Sequence, residues 1–264
     1  MRAMPWSSLG AQFCLELAFG VLVTLVFVAR APLGVFFFRL MGATALVPLM
    51  AAVALPRLTG DAGWGELDWL WAALSAGLYF VYSGPVKART REVGLVLAAL
   101  SCAVALALAV RSAPAVDGAA SWAVASLSAF ATGLVGGSVG LAMVFGHWYL
   151  TVPTLEVAWL VKLNRLTMVW MGLSAAALVA TCVTFAEPLR AKEIDLLGPW
   201  SLFYIGTRVA LGVALPLLFA WMTSESLRYK NTRSATGILY ASTVLVLIGT
   251  AVSLFLQDSY GAPL

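Results

Sequence analysis

The sequence predicts an all-α integral membrane protein: a polytopic bundle of about eight transmembrane helices joined by short loops. Three observations predict it. Of 264 residues, 62% are hydrophobic and only 11% are charged, less than half the roughly 25% usual for soluble domains. So few charges cannot cover a water-soluble globule of this size, which excludes a soluble enzyme; the same composition excludes disorder, a coiled coil and a disulfide scaffold. The chain also holds eight stretches near the roughly 20 apolar residues that cross a bilayer core. Finally, runs such as Leu95–Val110 are apolar almost all round. A helix bathed in lipid reads this way, whereas a barrel strand would alternate apolar and polar.

The expected spans follow in order. The first, 10–29, is closed by Arg30-Ala31-Pro32. It reads as a retained span and not a cleaved signal peptide, because it is long, Glu16 interrupts it and Pro32 follows the small-residue triplet. The second, 34–55, ends at Pro56-Arg57, and the third, 67–83, at Ser83-Gly84-Pro85. The fourth, 94–110, is bounded by Arg111 to Asp117. The fifth, 121–147, runs toward Pro153; its apolar character to 150 fits one tilted helix or a helix with an interfacial turn. The sixth, 164–186, stops at Glu187-Pro188. The seventh, 198–223, contains Pro216, which removes a backbone hydrogen bond and predicts a kink. The eighth is 235–257. All connections are under about 20 residues, so residues 1–264 read as a single transmembrane domain with no soluble appendage.

Orientation follows from Lys and Arg in the loops. Eight spans put Arg2, Arg57, Arg111, Arg190 and Lys192 on one side. Nine basic residues lie on the other: Arg30, Lys87, Arg89, Arg91, Lys162, Arg165, Arg228, Lys230 and Arg233. Both termini are therefore expected outside the cytoplasm of a bacterial-type inner membrane. Trp6, Trp64, Trp122 and Trp200 fit an outer aromatic belt; Tyr82, Trp148, Tyr149, Trp221 and Tyr229 fit an inner one.

Catalytic and metal motifs are missing. There is no G-x-G-x-x-G, P-loop, H-E-x-x-H or D-x-x-x-D. The one G-x-S-x-G, Gly136 to Gly140, lies inside a span, whereas a hydrolase elbow needs a strand-turn-helix. His147, the only histidine, is nine positions beyond Ser138. That spacing puts it on the opposite helix face about 13 Å along the axis, too far for a dyad. A bis-histidine haem cannot be built from one histidine, and His147 with Met143 is a weak alternative. No catalytic residue, metal ligand or covalent cofactor is expected. The three cysteines, Cys14, Cys102 and Cys182, read as small buried side chains. Gly133/Gly137 and Gly136/Gly140 form overlapping G-x-x-x-G pairs, expected to let a neighbouring helix approach closely.

A few polar groups remain inside the membrane, where an ionised group costs about 2.5–3.5 kcal/mol on insertion scales. Glu16 and Arg208 lie at depths of about 9 and 15 Å from the same side, so they are expected to meet as a buried ion pair, either fixing helix register or binding a proton or ligand. Arg39 either snorkels to the interface or faces inward toward His147. With Trp148 and Tyr149 it would then suit a quinone or a lipid headgroup, since imidazole and guanidinium hydrogen-bond a carbonyl and aromatic faces line a ring. The loop Arg228 to Arg233 reads as an anchor, with docking of a partner or anionic lipid as a second role. Ala131-Thr132-Gly133-Leu134 resembles Ala235-Thr236-Gly237-Ile238, but at the wrong offset for a repeat of two halves.

The leading functional expectation is a membrane subunit of a multi-subunit electron-transfer complex, quinone- or lipid-proximal near the cytoplasmic boundary. Its partners would be membrane lipids and other subunits, with no nucleic acid; its only small-molecule ligands would be a quinone and bound lipids. A transporter or channel for a proton or lipid-like solute is the alternative, with Glu16, Arg208 and Asn164 as its polar groups. An intramembrane enzyme is disfavoured by the missing constellations.

Overall fold

The computed structural model describes residues 5–60, 66–113, 115–152, 155–186 and 199–261. It is an all-helical bundle, with no strands among the described residues. The helices are α1 (Trp6–Val28), α2 (Val35–Thr59), α3 (Glu66–Tyr82), α4 (Ala88–Arg111), α5 (Ala119–Thr151), α6 (Ala158–Thr184), α7 (Pro199–Val209), α8 (Leu215–Arg228) and α9 (Thr232–Tyr260). A π-helical turn, Ala210–Ala214, joins α7 to α8 in one continuous rod. Among the described residues, seven rods are long and apolar enough to cross a membrane. The eighth expected span is α3, whose 17 residues fall at the short end of the crossing range.

The helices α4, α5 and α9 overrun their apolar stretches at both ends because hydropathy marks the hydrocarbon, while the helix continues until its backbone is capped. Thus α9 starts at Thr232, where the Asn231 side chain accepts from the Ser234 amide at 3.1 Å. It ends at Gly261, whose φ of 74° is the left-handed conformation that glycine tolerates best. The stretch after 121 is one helix of 33 residues, α5. At about 50 Å it exceeds the hydrocarbon thickness and must tilt or protrude. At Pro216 a π-helical turn replaces a simple kink. Proline cannot donate to the carbonyl four residues back, that of Gly212, and the wider turn relieves its ring.

Contacts sort the helix ends into two groups. Arg30 pairs with Glu92 at 2.6 Å, Lys162 donates to the Phe27 carbonyl at 2.8 Å, and the Phe37 and Trp148 rings lie 5.3 Å apart. These tie the end of α1 and the starts of α2, α4 and α6 to the end of α5. At the opposite end Arg57 lies over Trp69, Trp122 donates to the Ala107 carbonyl, and Gln12 bonds Gln257. Neighbouring helices therefore alternate in direction, and α1 begins where α9 finishes. The first group carries most of the described basic residues.

The core is the α1–α5 pair. About 70% of each apolar window is buried, against 28% for α6 and 22% for the α7–α8 rod, which lie at the periphery.

Candidate functional site

Two polar sites emerge, one central and one at the basic end. The central site begins with α1. Ser8, Gln12 and Glu16 recur every four residues on one helix face, and all three are buried. Gln12 Nε2 donates to Glu16 Oε1 at 2.9 Å and to Gln257 Oε1 at 3.0 Å; Gln257 Nε2 returns a bond to Gln12 Oε1 at 2.8 Å. Two buried amides thereby satisfy each other across α1 and α9 and support one carboxylate oxygen.

Arg208 arrives from α7, just before the π-helical turn. It is 3% exposed and Glu16 2%, so neither faces lipid. Arg208 Nη2 donates to Thr132 Oγ1 of α5 at 2.9 Å, and its guanidinium lies over Gly212, where a Cβ would collide with it. Glu16 and Arg208 face the same buried site, and no salt bridge joins them. Glu16 Oε2 and Arg208 Nε have no hydrogen-bond partner.

The predicted glycine seam separates into parts. Gly133 and Gly137 meet the α1 backbone at Glu16, Gly20 and Val21, with no room for a side chain. Gly136 faces the Leu17 and Val246 side chains, and Gly140 faces open space. Gly20, the α1 half of this crossing, escaped sequence reasoning, as did the Gly212–Gly249 contact between the π-helical turn and α9. Ser138 is buried, and its hydroxyl donates within α5 to the Val135 carbonyl at 3.2 Å. Asn164 is a tie between helices: its Nδ2 donates to the Ala220 carbonyl and to Ser224 Oγ, both at 2.8 Å. Cys102 is buried, and Cys14 and Cys182 are half-buried.

At the basic end the four expected ligand-binding residues diverge. Arg39 is exposed on α2. The buried arginine at this level is Arg91, 4.0 Å over the Phe38 ring and donating to the Gly84 and Val86 carbonyls. Trp148 packs on Phe36 and Phe37. His147 is exposed and turns to α9, its Nδ1 3.4 Å from the Tyr240 hydroxyl. Tyr149 is buried, and its hydroxyl donates to the Glu156 carbonyl.

Tyr149 and Tyr240 nevertheless share one feature. An open cleft of about 750 Å³ lies between the end of α5, the start of α6 and the start of α9; Tyr149, Leu155, Lys230, Arg233, Thr236 and Tyr240 line it. Gly146 brings α9 close, since a Cβ there would lie 2.7 Å from Thr236 Oγ1. Lys230 holds a φ of 56°, a conformation that costs a side-chain-bearing residue about 1 kcal/mol relative to glycine. The cleft thus sets two cations and two phenols at the boundary of an apolar bundle.

No family model, characterised protein or solved structure matches the chain. The fold and these two sites define it as a multi-pass helical membrane protein.

Proposed function

We propose that this chain is a membrane subunit that holds the anionic headgroup of a lipid in the cleft of Tyr149, Lys230, Arg233 and Tyr240. The observation that carries the reading is the pairing of Lys230 and Arg233 with two tyrosine hydroxyls at the rim of an apolar surface. A phosphate accepts from such donors, and acyl chains continue along the helices. The basic end then faces the cytoplasm of a bacterial-type inner membrane, by the excess of Lys and Arg there, and both termini lie outside.

A second reading, a quinone in the same cleft, is favoured by the contact of His147 with Tyr240. A phenol–imidazole pair suits a carbonyl oxygen. It fits the expected role beside an electron-transfer complex, which rests otherwise on the short loops and apolar surface.

Purification of the full chain from its native membrane in mild detergent tests the subunit role. Partner chains, or absorbance bands from their redox cofactors, should accompany it. A chain that purifies alone without chromophore contradicts the role.

A further inference from the structure

We propose that Glu16 is a protonatable site inside the bundle, with Arg208 as its fixed counter-charge. The inference is independent of the cleft. One carboxylate oxygen takes a hydrogen bond from Gln12, while Oε2 has none. Arg208 is held on the other side by Thr132 and does not close a salt bridge. A pair serving only to lock helix register would gain most by closing, because buried charges are costly unless geometry and hydrogen bonds are complete.

The proton is the ligand that fits. One carboxylate with no second acidic group beside it among the described residues, facing a guanidinium, has too few oxygens for a metal cation and repels an anion. A proton needs one free lone pair: the O–H bond forms on Oε2, the bond from Gln12 to Oε1 persists, and the carboxylate charge is neutralised. Release reverses these steps.

Buried polar groups extend from Glu16 in both directions. Toward the start of α1 the polar face continues through Gln12, bonded to Gln257 of α9, to Ser8, all buried. In the other direction Gly20 is pressed against Gly133 and Gly137, backbone on backbone, and the buried Thr24 hydroxyl, next on the same face, donates to the Gly20 carbonyl at 2.6 Å. The charged group that faces Glu16 is Arg208. From α4 the Cys102 thiol lies against the Leu15 carbonyl at 3.6 Å. On α5 the nearest titratable side chain is His147, about 21 Å along the axis from Gly133. On α2, Arg39 and Arg57 are exposed. On α9 the nearest is Asp258, beside Gln257, and on α6 Lys162 and Arg165 belong to the basic end.

Infrared difference spectra of the full chain in lipid nanodiscs, taken across pH, test the proposal. The expected result is the C=O stretch of a protonated buried carboxyl that appears as pH falls and is missing in E16Q. R208Q should displace its midpoint. If E16Q does not fold, E16D keeps the carboxyl and should shift the frequency of the band. No band dependent on residue 16 at any pH, or a midpoint unmoved by R208Q, overturns the proposal.

Discussion

Gly133 of α5 lies so close to Glu16 of α1 that a Cβ on the glycine would stand 2.5 Å from the glutamate's backbone carbonyl oxygen. The crossing that packs the two central helices is thus also the floor of the buried carboxylate site. In lipid, where apolar side chains gain little by leaving their surroundings, such close backbone contact drives association.

Substituting Gly133 or Gly137 by alanine should therefore destabilise the protein. Overpacking of this kind costs about 1–3 kcal/mol, and more where backbone meets backbone. G140A should be neutral, because that glycine faces open space. Thermal unfolding in mild detergent checks the contrast; equal losses for all three variants would contradict the packing.

Asn164 is a polar tie between α6 and α8, the two peripheral elements. N164L should loosen them by about 0.6 kcal/mol, the average for interhelical hydrogen bonds in a membrane protein, with about 1.7 as the upper bound. Denaturant unfolding of N164L, S224A and the double variant reads the coupling, which should be non-additive.

Arg91 and Arg39 should differ sharply. Arg91 is buried over Phe38 and binds the 83–87 turn, whereas Arg39 is exposed. A partly desolvated cation–π contact contributes about 1–2 kcal/mol, so R91Q should lower the unfolding midpoint and R39Q should not. The same measurement on both variants decides it.

The spans were legible because hydropathy registers the hydrocarbon directly: Leu95 to Val110 needs no tertiary knowledge. What a residue faces is a different question. Depth alone favoured Arg39 over Arg91, but helix rotation buries the second and exposes the first. Gly20 has no second glycine at four-residue spacing on α1, and only the opposing Gly133 gives it meaning. Ser8 and Gln12 were visible at four-residue spacing before Glu16, yet drawing the span from residue 10 cut their stripe. Starting the last span at 235 likewise separated Arg233 from Thr236 and Tyr240, although a spacing of three and seven marks one helix face.

Topology follows from the alternation of the helices. Single cysteines placed beside Trp6 and Gly261 should react with an impermeant reagent from one face of sealed vesicles, and one at Lys230 from the other. Labelling of all three from the same face would contradict the alternating arrangement.

The most direct test of the account is lipid retention by the cleft. Native mass spectrometry of the purified chain, supplied with phosphatidylglycerol, phosphatidylcholine or a short-chain quinone, should show preferential retention of the anionic lipid. The double variant K230Q/R233Q should lose roughly tenfold or more in affinity, the equivalent of about 1.4 kcal/mol, with folding unchanged because both positions sit at the exposed end of the bundle. Retention of quinone, lost in Y240F, would assign the cleft to the second reading. Equal retention of all three molecules by the native chain and the double variant would contradict a binding role for the cleft.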